Sequence, residues 1–171
     1  CDSFTEVKIP DSVTRLDYGA FNNCDKLESV TIGSGVTTLP ECAFYECKAL
    51  KSITVPGNVT TVGKEAFYGC TALESITLED GVKTIGADAF TNCIALTSVD
   101  IPASITSITS DLFTNCTNLA AINVSEDNEV YTSIDGVVYS KDMTVLMLYP
   151  VGKTDESFVI PSTVKEIKNE A

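Results

Sequence analysis

Six of the seven cysteines, Cys1, Cys24, Cys47, Cys70, Cys93 and Cys116, follow one another at intervals of 23 residues. Every other column of the sequence keeps the same interval, so the spacing marks a structural repeat. Cut from Ile9, the chain gives IPDSVTRLDYGAFNNCDKLESVT, IGSGVTTLPECAFYECKALKSIT, VPGNVTTVGKEAFYGCTALESIT, LEDGVKTIGADAFTNCIALTSVD and IPASITSITSDLFTNCTNLAAIN, ending at Asn123. One column reads Phe21, Phe44, Phe67, Phe90 and Phe113. A second holds Leu27, Leu50, Leu73, Leu96 and Leu119, and a third Val30, Ile53, Ile76, Val99 and Ile122. Two further apolar columns begin at Val13 and Leu16. A unit this short cannot bury its own apolar face, so successive units must stack, each coil covering the next.

The segment Leu27-Glu-Ser-Val30-Thr-Ile32 has the form L-x-x-L-x-L, which predicts one strand per coil and a parallel sheet along one side of the stack. Strand alternation turns Leu27, Val30 and Ile32 and their equivalents inward and leaves Glu28, Ser29 and Thr31 and theirs toward solvent. Ala20-Phe21 and the residues before Cys24 fit one short helical turn on the opposite side, with the Phe column filling the space between.

The pattern I-P-x-S-V-T-x-L-x-x-x-A-F-x-N-C-x-x-L-x-S-V-x resembles the BspA-like leucine-rich repeat family of bacterial and protist surface proteins. The resemblance implies an α/β solenoid: a right-handed leucine-rich repeat superhelix with a parallel sheet on one face and short helical turns on the other. The chain reads as a single domain over 1–171, with the tail of a preceding repeat at 1–8, five repeats at 9–123, a longer repeat at 124–159 and the start of a truncated one at 160–171. Both ends therefore read as cuts through a repeat, as in a stretch of a longer array. Between Val124 and Ile160 the unit spans 36 residues instead of 23. Two β-rich runs within residues 131–150, meeting around Ser140-Lys-Asp142-Met143, predict a β-hairpin. The D-G-V-x-Y-S-K-D island there also resembles members of the family, and Met143 stands where a turn glycine is expected.

Equivalent cysteines on successive coils lie about 4.8 Å apart and point the same way, whereas a disulfide needs Cβ atoms about 3.8 Å apart and turned toward each other. The ladder therefore reads as buried, reduced thiols acting as small core residues. Cys42 shares its column with Gly19, Glu65, Asp88 and Asp111 and is expected to be the most accessible thiol.

Candidate contact residues fall in two groups. On the sheet, Ser29, Ser52 and Ser75 lie beside Thr31, Thr54, Thr77 and Asp100. These either present hydrogen bonds to a polar ligand or stabilise the sheet by cross-strand bonds. Elsewhere Tyr45 and Tyr68 occupy one column on adjacent coils, with Tyr18 nearby. The stretch Thr84–Ser140 contains no Lys or Arg. Within it Ser125-Glu-Asp127-Asn-Glu129 offers oxygen ligands of the kind Ca²⁺ takes, without the D-x-D-x-D-G order of a calcium loop. Asn58, Asn115 and Asn123 open N-x-[ST] sequons, and Asn115 is expected to serve the backbone.

With 11 basic and 24 acidic residues the formal charge is −13, which argues against a nucleic-acid partner. The absence of His removes the commonest general base and a frequent metal ligand. No G-x-S-x-G, P-loop or GxGxxG occurs, so the reading is of a non-enzymatic protein without a cofactor. No apolar run is long enough for a membrane span. The resemblance implies an extracellular or cell-surface, monomeric binding module that adheres to a host matrix protein, other cells or a glycan. The alternative is a structural spacer that displays another domain.

Overall fold

The computed structural model describes residues 3–169 and 171 of the 171-residue chain; the first ladder cysteine, Cys1, lies outside them. The backbone winds into a solenoid of about seven turns. Its first wall is a parallel sheet of β1 (Glu6–Lys8), β2 (Ser29–Thr31), β4 (Ser52–Val55) and β6 (Ser75–Leu78). β8 (Ser98–Ile101) and β9 (Ala121–Val124) pair in parallel as a second sheet further along the chain. Register follows the repeat, with Ser29 opposite Ser52, Ser52 opposite Ser75 and Ile53 opposite Ile76. The solvent/core alternation expected of a half-buried strand holds across these strands: Val30, Ile53, Ile76 and Val99 are buried, while the Ser, Thr and Asp residues that flank them are exposed.

A second parallel ladder stands where the Leu16 column runs. β3 (Thr38–Leu39), β5 (Thr61–Val62) and β7 (Thr84–Ile85) pair in register, and a bridge from Thr84 to Ser107 carries the ladder one coil further. Just beyond it the coils approach so closely that a Cβ on Gly63 would lie 2.5 Å from the Pro40 carbonyl carbon.

The third wall corrects the expectation of short helical turns: the described residues contain no helix, so the molecule is all-β with turns and not α/β. Alternate amides here donate to the neighbouring coil instead of back along their own. Cys42 N, Phe44 N and Glu46 N bond the carbonyls of Lys64, Ala66 and Tyr68 (3.0, 2.7 and 2.7 Å), while Tyr45 N and Cys47 N close four-residue turns onto Cys42 O and Phe44 O (3.2 Å each). Positive φ recurs at two positions in the first four of these segments, at Gly19, Cys42, Glu65 and Asp88 in one column and Asn23, Glu46, Gly69 and Asn92 in the other, and at Asn115 in the fifth. A right-handed helix cannot run through either.

Inside these walls the five Phe rings form a continuous stack, with centroids 5.4 to 5.5 Å apart and planes within 12° of parallel. The cysteine ladder lies beside it. Cys47, Cys70, Cys93 and Cys116 each donate their thiol to the Phe carbonyl of the preceding coil at 3.1 to 3.2 Å. The described cysteines are all buried, and Cys42, Cys47, Cys70, Cys93 and Cys116 are free thiols. Burial pushes the thiol of Cys47 up to about 11 and that of Cys116 to about 12, and raises Cys70 and Cys93 as well.

The apolar columns end at a polar residue. Asn128 takes the place of Val36, Val59, Val82 and Ile105 in its column and has no exposed surface. Its amide donates to Pro102 O and Ile105 O (3.0 and 2.9 Å), and its carbonyl oxygen accepts from Val130 N and Tyr131 N (2.9 and 2.8 Å). Fully bonded, it turns the chain out of the coil. Asn128→Leu keeps the branched shape but strands these backbone groups and adds bulk at a fully buried position, and is expected to cost about 2–4 kcal/mol in chemical unfolding. A loss under about 0.5 kcal/mol would show that the bonds are dispensable.

The chain leaves Asn128 into β10 (Tyr131–Ile134), β11 (Val137–Ser140) and β12 (Val145–Leu148), an antiparallel meander whose last strand pairs in parallel with β13 (Glu166–Ile167). Asp135 and Gly136, with φ of 51° and 78°, make the tight turn between β10 and β11. A turn around Asp142, whose carboxylate accepts from Ser140 Oγ and Thr144 N, joins β11 to β12. Met143 there has a positive φ of 60°, the conformation for which a glycine was expected. Leu148, Tyr149 and Pro150 close against Phe113, the last ring of the stack.

Candidate functional site

The S-x-T triplets of β2, β4 and β6 come together because each strand presents its first and third residues outward and the parallel register aligns them coil by coil. Together Ser29, Thr31, Ser52, Thr54, Ser75 and Thr77 line a shallow groove of about 550 Å³, closed at one side by Pro56 and Glu79. Glu79 Oε2 is held by the Gly57 amide at 3.0 Å. Glu28 and Lys51, one residue before the Ser column, pair across the coils at 2.7 Å. Among the described residues none of the six hydroxyls makes an intramolecular hydrogen bond. On the second ladder, by contrast, Thr84 Oγ1 donates to Thr61 Oγ1 at 3.3 Å, and Thr60 Oγ1 donates to Thr37 O at the same distance. The groove hydroxyls are thus free to donate and accept toward the open side.

The other sequence candidates lie apart from this groove. Asp100 sits in a separate depression of about 290 Å³ and accepts from Asn123 Nδ2 at 2.9 Å. Tyr45 and Tyr68 stack face to face in the turn wall, centroids 4.9 Å apart and planes 3° from parallel, both half-buried. Tyr18 is 68% exposed, and its hydroxyl is raised chiefly by a hydrogen bond with Cys42.

Cys42 is the most exposed of the described cysteines, as its column suggested, yet it is still buried. It is 3% exposed, capped by Tyr18 and by Glu65, whose carboxylate lies 3.7 Å from Sγ. Burial, opposed by the Tyr18 hydrogen bond and reinforced by Glu65, raises its pKa. The column's Gly, Glu and Asp reflect a left-handed backbone position and not an exposed one.

Glu126, Asp127 and Glu129 do not converge: no group of three or more His, Cys, Asp or Glu side chains gathers to hold a metal among the described residues, and between Asp127 and Glu129 stands the buried Asn128. Asn115 Nδ2 donates to Asn92 Oδ1 at 3.1 Å, and Asn115 holds a φ of 60°. No helix among the described residues is long and apolar enough to cross a membrane. Sequence reasoning did not find Pro56 and Glu79 as the groove's closing side, nor the Thr38, Thr61 and Thr84 ladder, although hydroxyls recur there at a fixed repeat position.

The model of the BspA type leucine-rich repeat region matches residues 1–120 in six copies. No protein of curated function matches the sequence at a significant level. Among solved structures, the pneumococcal vaccine antigen PcpA is 30% identical, with a TM-score of 0.87 over 95% of this chain and 41% of that one. A leucine-rich cell surface protein of Faecalibacterium prausnitzii is 32% identical, with a TM-score of 0.73 over 98% of this chain and 51% of that one. The T. pallidum leucine-rich repeat protein is 29% identical, with a TM-score of 0.65 over 69% of this chain and 57% of that one. The present chain thus spans less than two thirds of each.

Proposed function

The chain belongs to the BspA-type leucine-rich repeat proteins, and from that premise we propose that it is a non-enzymatic binding module of the cell surface or secreted space, adhering through its repeat surface to a matrix protein, another cell or a glycan. The observation that carries this reading is the groove over β2, β4 and β6, where six hydroxyls stand exposed without an internal partner. Such a surface binds by hydrogen bonds spread over several coils, each weak and together additive. The vaccine antigen and the cell surface protein among the similar structures support the location.

A specific observation favours the spacer reading as the alternative. The groove contains no Tyr, Trp or Arg, the side chains that dominate protein interfaces, and the stacked Tyr45 and Tyr68 lie elsewhere. The test is capture by the immobilised chain of matrix proteins and of an arrayed glycan panel, at low and physiological salt. Saturable binding is expected on at least one panel. Loss with Tyr45→Ala and Tyr68→Ala together would place the contact on the turn wall. Silence of the folded chain on both panels would replace the binding module with the spacer.

A further inference from the structure

We propose that the groove over β2, β4 and β6 takes a neutral, extended β-linked polysaccharide lying along the solenoid axis, about one sugar to each coil; the inference rests on the binding-module reading and narrows it to one ligand class. Three features of the groove select that ligand. The first is its period. Ser29, Ser52 and Ser75 are in strict register, as are Thr54 and Thr77, so the same hydroxyl pair recurs at the strand spacing of about 4.8 Å. A pyranose ring in an extended β-1,4-linked chain advances by a comparable distance with alternate rings turned over, so each coil meets one ring, and hydroxyls that both donate and accept suit either orientation.

The second feature is chemistry. Ser and Thr hydroxyls both donate and accept, as sugar hydroxyls do, and those of the groove are exposed and unpaired internally. The third is charge. Glu28 and Glu79 border the groove, Lys51 is already tied to Glu28, and the chain carries a formal charge of −13. That field repels uronate and sulfated polymers, which leaves uncharged glycans.

An extended peptide fits the same surface poorly. Strand addition needs a free sheet edge, whereas β2 and β4, which carry four of the six groove hydroxyls, are each paired on both sides and only β6 ends the sheet. The groove also runs across the strands, and its apolar floor is sealed, with Val30 and Ile53 both buried. No side-chain pocket opens there for a peptide anchor.

The test is titration calorimetry of the chain with a neutral β-1,4-linked glucan series from disaccharide to hexamer, set beside a galacturonate hexamer. Affinity is expected to rise at least tenfold from the disaccharide to the trisaccharide and then level off as the three coils fill, with no response to galacturonate. The triple variant Thr31→Val, Thr54→Val and Thr77→Val keeps side-chain volume on exposed strand positions, where the fold tolerates it; a matching melting curve verifies that. It is expected to weaken glucan binding at least tenfold, while Tyr45→Ala with Tyr68→Ala leaves it unchanged. Glucan binding that survives the triple variant would overturn the site. Capture of a matrix protein with no response to any neutral glycan would overturn the glycan and leave the binding module standing. No response to either would remove both.

Discussion

Above about pH 9 the protein is expected to lose stability, with a slope that approaches about 5 kcal/mol per pH unit near pH 10. Cys47, Cys70, Cys93 and Cys116 carry it. In the folded chain each thiol is desolvated and bonded to a Phe carbonyl, so its pKa is raised from the ordinary 9.0, to about 11 for Cys47 and about 12 for Cys116. In the unfolded chain the same thiols ionise near their ordinary value. Below that value both states hold the proton and the ladder is indifferent to pH. Above it only the unfolded state releases protons, each thiol removing about 1.4 kcal/mol per pH unit until the folded thiol itself ionises. Four acting together exhaust the stability of an ordinary domain, about 5–15 kcal/mol, before pH 11 or a little beyond. Urea unfolding in the presence of reductant at pH 8, 9, 9.5 and 10 measures the effect. The expected linkage approaches four protons, and Cys70→Ala lowers it by one. A linkage below one proton would mean that the ladder is open to solvent.

Phe67→Ala is expected to cost about 3–5 kcal/mol. Phe67 has no exposed surface and stacks between Phe44 at 5.4 Å and Phe90 at 5.5 Å, so its removal opens a cavity bounded by two rings that the coil backbone holds apart. Because each coil contacts only its neighbours, the cost depends on position. Phe21, half-buried at the start of the stack with one ring neighbour among the described aromatics, should lose about half as much when truncated. Chemical unfolding of the two variants checks both statements. A loss below about 1 kcal/mol for Phe67→Ala would show that the stack does not hold the coils together.

The proposed groove and these two core features are consequences of the same translation. A solenoid copies each residue column by one coil, so a column that is apolar becomes a continuous core and a column that is polar becomes a continuous ladder on the surface. That is why the Ser and Thr of L-x-x-L-x-L strands were legible as exposed pairs before the fold was seen. It is also why Asn128 stands out: a polar residue in a column of Val and Ile is costly unless fully bonded, and its four hydrogen bonds mark the place where the coil gives way to the meander. The Asp135-Gly136 turn carried its own signal, a D-G pair between apolar runs; sequence reading placed its turn at Ser140–Met143, where the second tight connection lies.

By itself the sequence determined the period, the inward columns, the buried cysteine ladder and the strand face, because stacking by a fixed repeat makes a residue's column decide its burial. Only the tertiary structure decided what closes the other side. Ala43, Phe44 and Tyr45 have no local reason to avoid a helical turn; they avoid one because alternate amides find their acceptors in the next coil, and that coil exists only once the solenoid has formed. The same holds for Cys42, whose burial comes from Tyr18 and Glu65 on neighbouring coils, and for the groove, whose concavity belongs to three strands together and to none of them singly.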